Sequence, residues 1–168
     1  MVLVCSGQQF GSGGRTIGKE VAAKLGIPCY DSEQIDKIAT QSGFAKEYGE
    51  YALSDKLYKN VLAGRDQDAQ SDVDKIWFAQ KKVATDLAEK ESCVIVGCCA
   101  DYILKDTSDC LTVFIHSLDE QRAERIVSVY GQREESPAKR LHDKDKTYYE
   151  LYTGINWGMA ENYDTYLF

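Results

Sequence analysis

The sequence is organised around a glycine-rich stretch near its start, which reads Gly7-Gln8-Gln9-Phe10-Gly11-Ser12-Gly13-Gly14-Arg15-Thr16. The apolar run Met1 to Cys5 precedes it, and a helical pattern follows from about Thr16 to Leu25. Glycines let a backbone fold back closely, so several N–H groups can face one concavity at a helix N-terminus, where the helix dipole favours negative charge. The stretch therefore predicts a phosphate-binding loop between a strand and a helix.

The loop departs from the usual nucleotide-binding pattern. That pattern, G-x-x-x-x-G-K-[ST], contains a lysine that reaches the β- and γ-phosphates, but no lysine occurs between residues 7 and 18. In one alignment Arg15 supplies the cation and Thr16 supplies a hydroxyl that faces a metal ion. In the other alignment Gly14 stands where the lysine belongs. The pattern by itself leaves both alignments open.

The same letters fit a second kind of loop. Gly7, Gly11 and Gly13 resemble the turn of dinucleotide-dependent reductases, and Asp31 follows Gly11 by 20 residues, where a ribose-binding acid is expected. That chemistry usually brings a Tyr-x-x-x-Lys pair, and no tyrosine here has a lysine four residues later. A reductase therefore ranks last among the hypotheses.

Composition limits the class of protein. The chain has 168 residues, 43% of them hydrophobic, and predicts one domain, 1–168, with a real core. Its net charge of -7 argues against a general nucleic-acid binder. No apolar run reaches the roughly 18 residues of a membrane span, so we expect a soluble, cytoplasmic protein. The six cysteines, without a secretion signal, are expected to be reduced thiols.

Short apolar runs alternate with helical patterns. The predicted strands are Met1 to Cys5, Ile27 to Tyr30, Cys93 to Val96, Leu111 to Ile115 and Thr165 to Phe168. The predicted helices are Thr16 to Leu25, Glu33 to Thr40, Asp72 to Lys90 and Leu118 to Tyr130. The wholly apolar run Cys93 to Val96 is typical of a parallel strand covered on both faces. The chain stops in the last strand without a closing helix, so we expect it to be truncated at Phe168.

Two acidic residues follow strands at the edge where open α/β sheets bind ligands. Asp31 follows the second predicted strand, and it is either a substrate ligand or, like Ser32, a candidate N-cap of the helix Glu33 to Thr40. Asp101 follows the turn that begins at Gly97, and it either faces the site or caps the segment Tyr102 to Lys105. Both alternatives stay open for each residue.

Two further segments have a functional and a structural interpretation. Residues 42–70 are rich in tyrosine and leucine, and they form either a mobile substrate flap or an ordinary helical connection. A basic cluster is either a salt-bridged helix face or an electropositive lid over a polyphosphate. Its members are Arg122, Arg125, Arg133, Lys139, Arg140, Lys144 and Lys146.

Three blocks of sequence resemble the cytidylate kinase-like family of P-loop proteins. The first combines Gln9-Phe10-Gly11-Ser12-Gly13-Gly14-Arg15 with Ile17-Gly18-Lys19 and Leu25-Gly26-Ile27-Pro28-Cys29-Tyr30-Asp31. The second is Val94-Ile95-Val96-Gly97-Cys98-Cys99-Ala100-Asp101-Tyr102-Ile103-Leu104. The third combines Tyr148-Tyr149, Tyr152-Thr153-Gly154, Trp157-Gly158 and Asn162-Tyr163-Asp164. The blocks keep their order over nearly the whole chain, and a G-S-G-G-R loop without the lysine is typical of this family.

The resemblance implies a fold and an activity. The fold is an α/β P-loop fold of three layers, with a five-stranded parallel sheet between helices, a substrate-binding insertion within 42–70 and a basic lid within 131–147. The activity is transfer of a phosphoryl group from ATP, with Mg²⁺, to a pyrimidine monophosphate such as CMP or dCMP. The partners are therefore small-molecule nucleotides, and the oligomeric state stays open.

The resemblance also implies the site residues. ATP would lie on Gly11, Ser12, Gly13, Gly14, Arg15 and Thr16, with Mg²⁺ near Thr16. The acceptor would contact Asp31, residues 42–70, Gly97 and Asp101. The cations that act in catalysis would be Arg15, Arg133, Arg140, Lys144 and Lys146.

Two departures from the family pattern bear on activity. The middle motif usually reads G-R-C-A-D, but Cys98 stands in place of the arginine that could hold the acceptor phosphate. Before Tyr148 the family usually has an arginine, and here the nearby cations are Lys144 and Lys146. The alternative hypothesis is therefore a nucleotide-binding module with little or no kinase activity.

Overall fold

The structure, a computed structural model, describes residues 1–41, 67–107, 109–131 and 144–168. The strands are β1 (Leu3–Gln8), β2 (Cys29–Asp31), β3 (Cys93–Val96), β4 (Cys110–Ile115) and β5 (Thr165–Leu167). The helices are α1 (Gly14–Leu25), α2 (Ser32–Gln41), α3 (Gln67–Lys90), α4 (Ala100–Ile103), α5 (Asp119–Tyr130) and α6 (Lys144–Thr153), with a 3₁₀ turn at Ala160–Asn162.

All five strands form one parallel sheet in the order β2-β3-β1-β4-β5. In the register of β1, Cys5 lies between Ile95 of β3 and Thr112 of β4. Because the strands are parallel, their carboxyl ends share one edge, where ligands bind in such sheets. Dinucleotide folds place β2 beside β1, whereas β3 lies there in this protein. This order contradicts the reductase alternative.

Both faces of the sheet are covered, as the apolar strands predict. On one face Leu3, Cys5 and Ile95 pack against α2, α3 and α4. On the other face Val94 and Val96 pack against Ala22 and its neighbours. The five-stranded α/β fold expected from the sequence is therefore confirmed.

Helix α1 packs closely against the sheet because it carries a glycine at the contact. A Cβ built on Gly18 would lie 2.6 Å from Cγ2 of Val96. Real Cβ atoms do not approach that closely, so a larger residue would displace the helix or the valine side chain. Gly18 therefore fixes the distance between α1 and the carboxyl end of β3, which lies at the ligand edge.

The element boundaries differ from the predictions at functional positions. Strand β1 runs to Gln8, so Gly7 belongs to the strand and the loop starts after it. Helix α1 starts at Gly14 instead of Thr16, and Asp31 is the last residue of β2. Most of the predicted insertion 42–70 and most of the predicted lid 131–147 lie outside the described residues. In the described part of the chain, no helix has the length and apolar character that crossing a bilayer requires.

Candidate active site

The loop between β1 and α1 is shaped by two glycines with positive φ. Gly11 has a φ of 86° and Gly13 has a φ of 92°, conformations that residues with a Cβ rarely adopt. The carbonyl of Gly13 accepts hydrogen bonds from the amides of Thr16, at 2.9 Å, and Ile17, at 3.0 Å. Helix α1 therefore starts directly behind the loop, and the amides of Gly14 and Arg15, which have no backbone acceptor among the described residues, are available to an anion.

Gln8 fills the space in which a side chain at position 14 would lie. A Cβ built on Gly14 would collide with Oε1 of Gln8 and lie 2.9 Å from its Cβ and Cδ. Gly14 itself brings no cation to the loop. The structure thus explains in steric terms why glycine, and not lysine, stands at this position.

Arg15 faces the carboxyl end of β2. Its Nη2 lies 2.7 Å from Oδ2 of Asp31 and 3.0 Å from Oε2 of Glu33. The hydrogen bond to Glu33 is the main reason why the pKa of Arg15 is raised, and Asp31 adds to it. Arg15 therefore already has anionic partners at one wall of the cavity that it helps to line.

Asp31 caps helix α2 and also pairs with cations. The amide of Gln34 donates to Oδ1 of Asp31, and the amide of Asp31 donates to Oε1 of Gln34, both at 3.1 Å. This reciprocal pair is a capping box. The other oxygen, Oδ2, faces Arg15 and lies 3.6 Å from Nζ of Lys19. The N-cap interpretation of Asp31 is confirmed, and its role toward substrate stays a prediction.

A cavity of about 460 Å³ opens in front of the loop. Its walls include Gly11, Gly13, Gly14, Arg15 and Thr16 from the predicted nucleotide-binding set, together with Gln8, Lys19 and Arg125. The structure thus brings the predicted loop residues together around one concavity.

The residues of this cavity fit a polyphosphate. Oγ of Ser12, the one predicted nucleotide-binding residue that does not line the cavity, is buried and has no hydrogen-bond partner among the described residues. This hydroxyl therefore lies behind the cavity wall, and it is the first-turn amides of α1 and the cavity-lining cations Arg15, Lys19 and Arg125 that suit a polyphosphate.

The same residues do not form a metal site of their own. Oγ1 of Thr16 accepts a hydrogen bond from Nη2 of Arg125 at 3.1 Å, and a cation beside it disfavours Mg²⁺ there. The described residues contain no group of three or more histidine, cysteine, aspartate or glutamate side chains arranged for a metal ion. Mg²⁺ would have to be held chiefly by the phosphate oxygens of ATP and by water.

A second, smaller cavity of about 90 Å³ lies beside the first at the same sheet edge. Its lining comprises Gly7, Gln8, Ser32, Val96, Gly97, Cys98, Cys99, Asp101, Tyr148, Tyr149 and Trp157. Gln8 lines both cavities, so they adjoin at this side chain. The described lining residues include neither lysine nor arginine, in contrast to the first cavity.

The turn after β3 has an uncommon backbone. Gly97, Cys98 and Cys99 have φ values of 79°, 57° and 54°. Left-handed conformations at residues other than glycine cost about 1–3 kcal/mol each, and they concentrate at functional sites. Cys98, which stands where the family usually has arginine, is thus held in a strained turn at the wall of the second cavity.

Asp101 lines the second cavity and is almost fully buried. Its exposed fraction is 4%, and Oδ2 has no hydrogen-bond partner among the described residues. Burial raises the pKa of Asp101, while the hydroxyls of Tyr149 and Tyr163 and the nearby backbone amides oppose this increase. The N-cap of α4 is Cys99, so the predicted cap of a segment starting at Tyr102 is wrong.

Tyrosines of α6 form the aromatic wall of this cavity. The hydroxyl of Tyr148 donates to Oε1 of Gln80 at 2.9 Å, and Nε2 of Gln80 donates to Oδ1 of Asp36 at 2.6 Å. Tyr152 stacks on Trp77 with ring centroids 4.9 Å apart. The helix that follows the predicted lid is therefore anchored to α2 and α3 beside the cavity.

The structure describes the side chain of only one of the four predicted lid cations, Lys146. Arg133 and Arg140 lie outside the described residues, as does the side chain of Lys144. Nζ of Lys146 is exposed and lies 3.9 Å from Oε1 of Glu150. Their roles in catalysis stay predictions.

The sequence pattern does not assign several residues that the structure places at the two cavities. It indicates Arg125 only as a member of the basic cluster, Tyr148 and Tyr149 only as part of a motif, and Gln8 only as a loop residue without a role. The three-residue spacing of Arg122 and Arg125, which puts both on one face of α5, is the signal that could single out Arg125.

Comparisons with known proteins support the fold described above. An uncharacterized protein from Eubacterium ventriosum ATCC 27560 is 27% identical, with a TM-score of 0.72 over 99% of this chain and 87% of that chain. Two shikimate kinases share the fold. The one from Acinetobacter baumannii, in complex with shikimate, is 15% identical with a TM-score of 0.55, over 100% of this chain and 83% of that one. The one from Bacteroides thetaiotaomicron is 16% identical with a TM-score of 0.54, over 98% and 84%.

No curated protein matches the sequence significantly. Residues 3–167, almost the whole length, match the cytidylate kinase-like family. The resemblance carried by the three sequence blocks is thereby confirmed, and the chain belongs to the cytidylate kinase-like family.

Proposed function

We propose that the protein transfers the γ-phosphoryl group of ATP to a pyrimidine monophosphate, CMP or dCMP. The observation that carries this proposal is that the loop cavity and the smaller cavity adjoin at Gln8. A donor on the loop and an acceptor whose base reaches into the second cavity would thus meet at the carboxyl ends of β1 and β3. Phosphoryl transfer depends mainly on such positioning and on charge stabilisation.

The donor side is proposed to use the loop. The residues from Gly11 to Thr16 would hold the phosphates through backbone amides. Arg15 would release the carboxylates of Asp31 and Glu33 and would then contribute its positive charge to the phosphates. The lid residues Arg133, Arg140, Lys144 and Lys146 would complete the positive charge around the transferred group.

The acceptor side is proposed to use Asp101. Its buried Oδ2, which has no hydrogen-bond partner among the described residues, would accept a hydrogen bond from the exocyclic amine of cytosine once the ligand reaches it, whereas uracil presents a carbonyl oxygen at the same place. A buried carboxylate left facing a carbonyl would lose a hydrogen bond and gain repulsion. Asp31, Gly97 and the segment 42–70 would complete the acceptor site within a single domain, 1–168.

The reaction needs no covalent intermediate with the protein. The acceptor phosphate would attack the γ-phosphorus in line, and ADP would leave. The chain's residues would orient the two nucleotides, exclude water by the aromatic wall of α6 and balance the charge on the phosphates.

A second candidate is a nucleotide-binding module with little turnover. Cys98 replaces the arginine of the family motif, and the described lining of the second cavity has no lysine or arginine. Without such a cation the acceptor phosphate is poorly stabilised as it attacks. This candidate requires ATP binding without ADP release in the presence of any nucleoside monophosphate.

The experiment is a coupled assay of ADP release with ATP and each of CMP, dCMP, UMP, AMP and GMP. We expect release with CMP or dCMP, and a ratio of kcat/KM for CMP over UMP that falls at least about tenfold in Asp101→Asn, because an amide can also donate to uracil. Efficient turnover with a purine monophosphate and none with a pyrimidine monophosphate would contradict the proposed acceptor. ATP binding without any release would select the second candidate.

A further inference from the structure

The donor loop, all of whose residues the structure describes, directs no side-chain cation at the centre of its concavity. Gly14 has no side chain, and Gln8 occupies the space beside it. Arg15 is turned to Asp31 and Glu33 at the β2 side of the cavity. A triphosphate carries several negative charges, and backbone amides alone balance them only in part. Arg15 and Lys19, which also lines the cavity and lies 3.6 Å from Asp31, therefore account for only part of the charge that a nucleotide would bring.

Arg125 of α5 lies against the loop from the other side. Its Nη2 is 3.1 Å from Oγ1 of Thr16, in the first turn of α1. A Cβ built on Gly13 would lie 3.0 Å from Cζ and 3.2 Å from Nε and Nη2 of Arg125. The guanidinium is thus in contact with the glycine that caps α1, and it lines the 460 Å³ cavity.

The position of Arg125 is fixed by the way α5 docks on the loop. Nε of the buried Arg122 donates to the carbonyl of Phe10 at 2.8 Å. A Cβ built on Gly11 would lie 2.8 Å from the carbonyl oxygen of Arg122 and 3.1 Å from the side chain of Ile126. Arg122 and Gly11 therefore hold the backbone of α5 against the loop, and Arg125, one turn later on the same face, is preorganised over the first turn of α1.

We propose that Arg125 is the cation that binds the phosphate chain of the donor nucleotide, in the role that the absent loop lysine has in other P-loop proteins. Its ligand is a nucleoside polyphosphate, which the planar guanidinium contacts by two N–H groups at once. On binding, phosphate oxygens replace the hydroxyl of Thr16 as the acceptor of Nη2. This inference rests on the proposed donor site and goes beyond it, because α5 supplies the charge that the loop lacks.

The test measures dissociation constants for ATP, ADP and adenosine by calorimetry on the full chain, without an acceptor. In Arg125→Ala we expect ATP affinity to fall at least about tenfold and adenosine affinity to change less than about twofold, with ADP between them. Arg125→Lys should recover part of the ATP affinity, because charge returns without the bidentate geometry. Lys24→Ala, which removes a cation from the exposed end of α1, is the charge-matched control and should bind ATP normally.

Two results would overturn the inference. Equal losses for ATP and adenosine in Arg125→Ala would mean that the guanidinium contacts the base or ribose. Unchanged affinity for all three ligands would mean that it contacts no part of the nucleotide. If Arg125→Ala does not fold, as judged by its thermal transition, Arg125→Gln removes the charge in its place, and Arg125→Lys remains the charge-retaining comparison.

The outcome is separable from that of the proposed kinase activity. ATP binding that depends on Arg125, together with no phosphorylation of any monophosphate, supports the inference and contradicts the proposed reaction. Phosphorylation of CMP that is equally fast in Arg125→Ala, with unchanged ATP affinity, supports the reaction and contradicts the inference. A wild-type protein that does not bind ATP contradicts both.

Discussion

The two cavities at the sheet edge differ in the sign and the burial of their charged side chains. In the loop cavity the charged side chains are partly exposed, and Arg15 and Arg125 already contact a carboxylate or a hydroxyl. In the smaller cavity one carboxylate, Asp101, is buried among tyrosines with an oxygen that has no hydrogen-bond partner in the described part of the chain. In the first arrangement, an incoming anion can replace the present partners of the two arginines. The second suits one fixed hydrogen-bond donor, since an unsatisfied buried oxygen is costly.

Affinity for a nucleotide and discrimination between nucleotides therefore arise in different cavities. Cations and loop amides attract any polyphosphate, because they contact the part that all nucleotides share. A single buried carboxylate discriminates between ligands, because a ligand without a donor leaves it unpaired. Substitutions in the loop cavity should therefore change affinity for ATP, and substitutions at Asp101 should change the choice of acceptor.

The largest effect is expected for Gly13→Ala in the loop cavity. A Cβ there would crowd the guanidinium of Arg125, and alanine would be strained at a φ of 92°. Displacement of the guanidinium and of the loop amides from the phosphates predicts a loss of ATP affinity of roughly 100-fold, measured by calorimetry. Gly26→Ala is the matched control, because Gly26 also has a positive φ but no atom within 4 Å of the added Cβ. Equal ATP affinity in the two variants would contradict the role of the loop.

The next effect tests the cation at the β2 side of the loop cavity. Arg15→Ala removes a guanidinium that can exchange Asp31 and Glu33 for phosphate, so turnover should fall at least about tenfold in the ADP-release assay. Lys24→Ala lies on the same helix, in its last turn, and should leave turnover unchanged. An unchanged rate in Arg15→Ala would mean that Arg15 pairs with carboxylates at the start of α2 and has no role in turnover.

A smaller effect is expected where α1 contacts β3, because this contact supports both cavities. Gly18→Ala would place a Cβ 2.6 Å from Val96. Overpacking costs about 1–3 kcal/mol and exceeds the gain of about 1 kcal/mol in helix propensity. The midpoint of thermal unfolding should therefore fall by a few degrees. The double variant Gly18→Ala with Val96→Ala should regain part of the lost midpoint relative to Val96→Ala alone, and an equal loss in both backgrounds would contradict the contact.

The smallest effect concerns the pH dependence of stability at Asp101. Burial raises the pKa of this carboxyl in the folded state, so the folded protein binds the proton more tightly than the unfolded chain does. The favourable contribution is full below the unfolded pKa of about 3.9 and is lost as pH rises through the raised folded pKa. Asp101→Asn removes this loss, so its unfolding midpoint should rise relative to wild type as the pH increases from about 3.9 through the raised folded pKa. A difference that stays constant with pH would contradict the raised pKa.

Much of the fold follows from local sequence. The apolar runs predict the five strands, and the glycines at 11 and 13 predict a turn that only residues without a Cβ form readily. The position of Asp31 at the end of β2 follows from the same alternation of apolar and polar segments. These features depend on residues close together in the chain, so the local pattern is enough to predict them.

The partners within the site could not be predicted in this way. Arg15 contacts Asp31 and Glu33 only because the sheet places the end of β2 beside the start of α1. Arg125 reaches Thr16 across 109 positions of sequence. The positive φ values of Cys98 and Cys99 are not predicted by their residue type, because cysteine has a Cβ. Such features arise from tertiary packing, which neither composition nor spacing encodes locally.

The claim on which the rest depends is that backbone amides of the loop bind the phosphates of ATP. Titration of ¹⁵N-labelled protein with ATP, followed by amide chemical shifts, tests it directly. We predict that the largest shifts occur at the amides of residues 11–16 and that adenosine at saturation does not reproduce them. Saturating ATP that leaves these amides unshifted, while other residues respond, would contradict the account.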